Sequence, residues 1–190
     1  MQIDKKYSNL NAYAAHVHDL NRKWWYDLDG APIASTWHLP TRFNLMLSEV
    51  SEGFEAFRKD QKDDHLPQYP GLWAEMADVV IRLLDSACAF GWHLEDIGHL
   101  GWFIPTNTND RLFKVSDHIM YLAHVVIDAQ AVWAHTPGQV AMSIINQCEM
   151  IAVTEGCEDF WQVVYDKLVF NWSRPDHSYA ARAAAGGKKF

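Results

Sequence analysis

Residues 45–60 read LMLSEVSEGFEAFRKD and residues 72–87 read LWAEMADVVIRLLDSA. Around the first, Phe43, Leu47, Val50, Phe54 and Phe57 recur at steps of four, three, four and three, the period of a helix that buries one stripe. Around the second, Trp73, Met76, Val80, Leu83, Ala87 and Phe90 do the same. Pro40 suits the first turn of the earlier helix, which should run to about residue 60. The later one should start near Gly71 and stop at Gly91. Between them, residues 60–70 are polar, hold two prolines and read as a loop. So short a connection favours an antiparallel helix pair.

Helical spacing continues on both sides. Residues 8–27 form a candidate first helix with Tyr13, Val17, Leu20 and Trp24 on one side, closed by an Asp29-Gly30-Ala31-Pro32 turn. Residues 92–110 are irregular; further helices are expected near 111–133, near 138–153 after Thr136-Pro137-Gly138, and near 158–172 before Pro175. The expected fold class is all-α, a helical bundle in one domain spanning 1–190. The chain is long enough to bury a core without disulfides, and 49% hydrophobic with 21% charged residues is a globular balance. A net charge of −8 disfavours duplex nucleic acid and anionic membranes as partners. Three scattered cysteines, no apolar leader and no run of about 18 apolar residues point to a reducing, cytoplasmic setting.

The two central helices carry Glu49-x-x-Glu52 and Glu75-x-x-Asp78. Residues three apart are neighbours on a helix. Glu49 lies about 100° from the centre of the Val50 stripe, at the margin of the buried face, and Glu52 about 60° further round. Glu75 and Asp78 flank the Met76–Val80 stripe. Packed as an antiparallel pair, the helices bring four carboxylates into one cleft. Clustered like charges are costly to desolvate, and a hard cation such as Mg²⁺, which prefers oxygen ligands and borrows phosphate oxygens, removes that penalty. Glu49 and Glu52 lack a basic residue four positions on, whereas Glu55 has Lys59. Arg82 is in place to neutralise Asp78, or with Asp85 to orient the ligands.

These residues resemble a family. LMLSEVSEGFEAFRKD, a polar loop and LWAEMADVVIRLLDSA are similar to the E-x-x-E…E-x-x-D signature of the all-α nucleoside triphosphate pyrophosphohydrolases, which include the MazG-like proteins, among them phage-type ones, and the dimeric dUTPases. The ending KLVFNWSRPDHSYAARAAAGGKKF, residues 167–190, is similar to a Lys-x-x-x-Asn-x-x-Arg-Pro stretch with a basic tail in such proteins. The likeness covers about residues 37–96, the metal-site core, and the C-terminal helix and tail; residues 97–157 carry no assigned motif. The resemblance implies Mg²⁺, with Mn²⁺ as a substitute, held by Glu49, Glu52, Glu75 and Asp78. It implies attack of water at the α-phosphorus of a nucleoside triphosphate, a deoxynucleotide by preference, with Glu49 or Glu52 as base. The products would be a monophosphate and pyrophosphate. It also implies a homodimer or homotetramer in the cytoplasm, that of the host if the chain is phage-encoded.

Lys167, Asn171 and Arg174 fall on one helix face and suit a phosphate and a sugar or base edge. Lys188 lies in the basic tail behind Gly186-Gly187. Trp24, Trp25, Trp37 and His38 are candidates for contact with a base. Competing readings are a di-iron carboxylate bundle and a non-catalytic helical interaction module with a solvated acidic face. The first wants E-x-x-H pairs, and no Glu here has His three residues later. The ten histidines show no zinc spacing, and there is no phosphate-binding glycine loop.

Overall fold

A computed structural model describes residues 10–95, 111–132 and 136–183. Among them the chain is helical and has no strand, only two isolated bridges, Tyr26 to Pro32 and Lys62 to Pro70. The helices are α1 (Leu10–Leu20), α2 (Arg22–Trp25), α3 (Leu39–Arg58), α4 (Gly71–Ala89), α5 (Arg111–Val132), α6 (Pro137–Thr154), α7 (Phe160–Ser173) and α8 (Tyr179–Ala183), with a 3-10 turn at Pro175–His177. None of those described is long and apolar enough to cross a membrane.

Local chemistry explains most boundaries. Pro40 and Pro137 stand in the first turns of α3 and α6. Asp159 caps α7 by accepting the Gln162 amide at 3.1 Å. Gly91, at φ 69°, ends α4, with the Trp92 amide returning to the Ala87 carbonyl at 2.8 Å. The first expected helix breaks in two: α1 stops at Leu20 and α2 follows after Asn21. The break lets Trp25 turn inward, where it is fully buried.

Helix α4 is the axis of the bundle, packed by α1, α3, α6 and α7, while α5 lies across α3 and α6. Its burial is therefore wider than the single stripe read from sequence. Ala74, Ala77, Val79 and Leu84 are buried together with Met76, Val80, Leu83 and Ala87, whereas Trp73 is only half-buried. Helices α5 and α6, from the segment without motif, supply Val115, Leu122, Val126, Met142 and Ile145 to the same core. These two helices are part of the same core.

Helices α3 and α4 run antiparallel, as Arg42 meets Asp85, Glu49 meets Arg82 and Gly53 meets Glu75. The α3 face turned to α4 is Arg42, Met46, Glu49 and Gly53, all buried, with Leu47, Phe54 and Phe57 half-buried beside it. Two glycines set the spacing. A Cβ on Gly53 would stand 3.3 Å from the Glu75 Cβ, and one on Gly71 would stand 2.7 Å from the Ala56 Cβ. At Gly53 α3 thus passes close to Glu75, one turn from Glu49 and next to Glu52, and three acidic side chains of a single helix pair share one small volume.

Candidate metal centre and cleft

A cleft of about 680 Å³ opens along α3, α4 and α7, with the 61–65 loop at one end and α2 at the other. This is the size of a small-molecule site. In its wall, Glu49 and Glu52 of α3 and Glu75 of α4 each offer a carboxylate oxygen, all within 4.8 Å of one another. Glu49 is buried, Glu75 half-buried and Glu52 exposed. The set has a solvent-facing side and a dry side.

Asp78 lines the cleft as expected but is engaged from α7. Asn171 Nδ2 donates to its Oδ1 at 2.7 Å, and Lys167 Nζ stands 3.4 Å from its Oδ2. Asp78 is not part of the three-glutamate group. Arg82 pairs not with Asp78 but with Glu49, which accepts from Arg82 Nε at 2.8 Å and from a second guanidinium nitrogen. The basic partner missing four residues along α3 thus comes from α4. Neither Glu52 nor Glu75 has an ion-pair partner among the described residues.

The electrostatics follow. Burial, then Asp78 and Glu49, push the Glu75 carboxyl up to about 9. Burial and Glu49 raise Glu52, and burial chiefly raises Asp78. The cluster resists full ionisation unless positive charge is added. Oxygen donors without thiolate or imidazole suit a hard divalent cation, so the residues fit Mg²⁺.

A pH test follows from the sign. A carboxyl raised in the folded state binds its proton more tightly there than in the unfolded chain, so its contribution is intact below the ordinary value of 4.5 and is lost as pH rises toward about 9. Without divalent cation, the contribution of Glu75 should lower the melting temperature across that window. Mg²⁺ must displace those protons and should therefore raise the melting temperature more near pH 8 than near pH 5. Scanning calorimetry at both pH values, in chelator and in Mg²⁺, checks this; an equal response at both would exclude proton release from the cluster.

The remaining site residues divide. Lys167 is buried, and its Nζ stands 2.7 Å from Asp63 Oδ2. Against the opposing effect of burial, Asp78, Asp63 and Glu75 hold its pKa above the ordinary lysine value. The expected phosphate cation is thus already shared between two aspartates. Arg174 lines the cleft with a bidentate bond to Asp176, at 3.0 and 2.8 Å. Lys188 lies outside the described residues. Trp25 is not a base contact: it is wholly buried, and its Nε1 donates to Asp85 at 2.8 Å. His38 is exposed at the start of α3, bonded to Thr41 at 2.9 Å, and does not line the cleft. Trp37 packs edge-on to Trp25 and Phe90 instead, whereas Trp24 does line the cleft.

Sequence reasoning missed Asp63 and Arg42. Asp63 is buried in the polar loop; its Oδ1 accepts the His65 and Leu66 amides at 3.0 and 2.7 Å. That Asx-type turn was the available signal. The loop is tied to α7 again by Tyr69 donating to Asp166 at 2.6 Å. Arg42 reaches Asp85 at 2.9 Å and Ser86 at 3.1 Å; its signal was a basic residue seven before Glu49, on the same helical row. Compared with family models, curated proteins and solved structures, the chain finds no match.

Proposed function

We propose that this chain hydrolyses a nucleoside triphosphate, by preference a deoxynucleotide, between the α and β phosphates, with Mg²⁺ held by Glu49, Glu52 and Glu75. The observation that carries this reading is the convergence of three glutamate oxygens within 4.8 Å, in the wall of a cleft large enough for a nucleotide. When bound, the cation supplies Lewis acidity and neutralises a polyphosphate. The protein's own groups have separable roles. Arg82 fixes the buried Glu49, leaving exposed Glu52 as the glutamate nearest water and the better candidate base. Asn171 donates to Asp78 and Lys167 stands beside it, so Asp78 completes the acidic wall and would be a further carboxylate available to a bound cation. The resemblance of the two carboxylate pairs and the Lys167-Asn171-Arg174 row to the pyrophosphohydrolases supports the reaction class and the proposed homodimer or homotetramer.

A nucleotide panel with Mg²⁺, scored for pyrophosphate against orthophosphate, tests the reading. Pyrophosphate and a nucleoside monophosphate are the expected first products. Orthophosphate released first removes the α–β assignment, and no turnover of any nucleotide removes the hydrolase.

A further inference from the structure

One ammonium stands between the polar loop and the acidic wall. Lys167 Nζ donates to Asp63 Oδ2 at 2.7 Å and stands 3.4 Å from Asp78 Oδ2. Asp63 belongs to the loop, Asp78 to α4 and Lys167 to α7, and all three line the cleft. Both side chains of the shorter pair are buried. A lysine that only fastened the loop would need one carboxylate. This one has two, from different elements, and Glu75 attracts it as well.

The hydrogen bonds fix which of the three groups is adjustable. Asp63 Oδ1 accepts the His65 and Leu66 amides, and the Asp63 amide donates to the Tyr69 carbonyl at 3.1 Å. Tyr69 donates in turn to Asp166, next to Lys167 on α7. The Asp63 carboxylate is therefore held by its own loop, and Oδ2 is the oxygen left for Lys167. Asp78 is held by Asn171. The ammonium, on its flexible stem, is the adjustable member. Its position decides how much of the Asp78 charge remains for a cation. Bonded to Asp63, it compensates that carboxylate first, and Asp78 keeps a share of negative charge beside Glu75. Drawn fully onto Asp78, it would cancel that charge and set a positive group against an incoming divalent ion.

We propose that Asp63 is a positioning residue for the carboxylate centre: acting through Lys167, and without touching the ion, it keeps Asp78 from being neutralised and so raises the affinity of the centre for a divalent cation. This rests on the proposed reading of Glu49, Glu52 and Glu75 as a cation site.

Titration calorimetry with Mg²⁺ alone tests this role, with the melting temperature as the check on folding. Asp63→Asn keeps the Oδ1 acceptor of the loop turn and removes the charge. It should weaken Mg²⁺ binding by about tenfold, the lower end of what outer partners contribute to metal affinity. Asp64→Asn removes the same charge one residue away, from an exposed side chain, and should change binding little. Adding Lys167→Met to Asp63→Asn should restore the affinity, because no ammonium is then left to cancel Asp78. A merely structural ion pair would give no such recovery. Lys167→Met by itself should tighten Mg²⁺ binding, and it carries the test if Asp63→Asn does not fold. Wild-type affinity in Asp63→Asn, equal weakening by Asp64→Asn, no recovery in the double variant, or weaker binding in Lys167→Met would each overturn the role. The two readings fail separately: if the wild-type protein binds no Mg²⁺, the cation site falls and takes this role with it, whereas Mg²⁺ binding without the Asp63→Asn contrast removes the role alone.

Discussion

Glu75→Gln should abolish most pyrophosphate release and at the same time make the cation-free protein more stable. The substitution keeps the shape of the side chain and removes its charge. Loss of a direct metal ligand should lower turnover by at least about a hundredfold, since even outer-sphere partners of metal ligands are worth roughly ten- to a hundredfold. The stability gain has a separate origin. Burial and the neighbouring Asp78 and Glu49 raise the Glu75 carboxyl, so at neutral pH its ionisation opposes folding. A neutral amide ends that opposition, and the gain should be on the order of 1–2 kcal/mol in chelator, a rise of a few degrees in a domain of this size. Mg²⁺ should stabilise the variant less than the wild-type protein. The paired outcome separates a site residue from a structural one, because a merely structural glutamate would lose stability when replaced. Turnover within a few-fold of wild type, or a fall in melting temperature, would remove Glu75 from the proposed centre.

Asp85→Ala should have the largest effect on folding. Asp85 is buried and accepts three donors from three other helices: His18 of α1 at 2.8 Å, Trp25 of α2 at 2.8 Å and Arg42 of α3 at 2.9 Å. Arg42 is itself buried and lies 4.7 Å from the Trp25 ring centre. Removing the carboxylate leaves a guanidinium in the interior without a counter-charge, which costs about 3–5 kcal/mol. That is a large share of the total stability of a domain. Replacing both partners, Arg42→Met with Asp85→Leu, should recover much of the loss, because no charge is then stranded. Urea denaturation followed by circular dichroism gives the comparison. A loss below about 1 kcal/mol for Asp85→Ala would mean that water reaches Arg42 freely and that the network is not a buried one. The double variant also bears on the site, since Arg42 shares its helix row with Glu49. A stable double variant with reduced Mg²⁺ affinity would show that the network aligns α3 with α4 at the carboxylates.

The described helices were largely legible in sequence, as were the two acidic pairs. Helix period, prolines in first turns, Gly91 and the Asp60–Pro70 punctuation act within a few residues of the chain, so composition and spacing reveal them. The break at Asn21 was not legible, because no proline or glycine marks it; burial of Trp25 against Asp85 makes it favourable. The antiparallel pairing of α3 and α4 followed from the short loop.

What only tertiary structure decided is which charge meets which. Spacing places Arg82 four residues after Asp78 on the same helix face, and Lys167 on a face that could meet phosphate. In the fold, Arg82 goes to Glu49, and Lys167 to Asp63 and Asp78. Trp25, Trp24, Trp37 and His38 are alike as candidates on paper, yet only Trp24 reaches the cleft. The reason is rotational. Hydrophobic period defines a stripe to within a residue or so, about 100° of helix, whereas a partner for a charged atom is chosen over a few ångströms. The close approach at Gly53 and Gly71 turns α3 so that Arg42, Met46 and Glu49 face α4, and that rotation is set by the packing of two surfaces together, a property neither helix has alone.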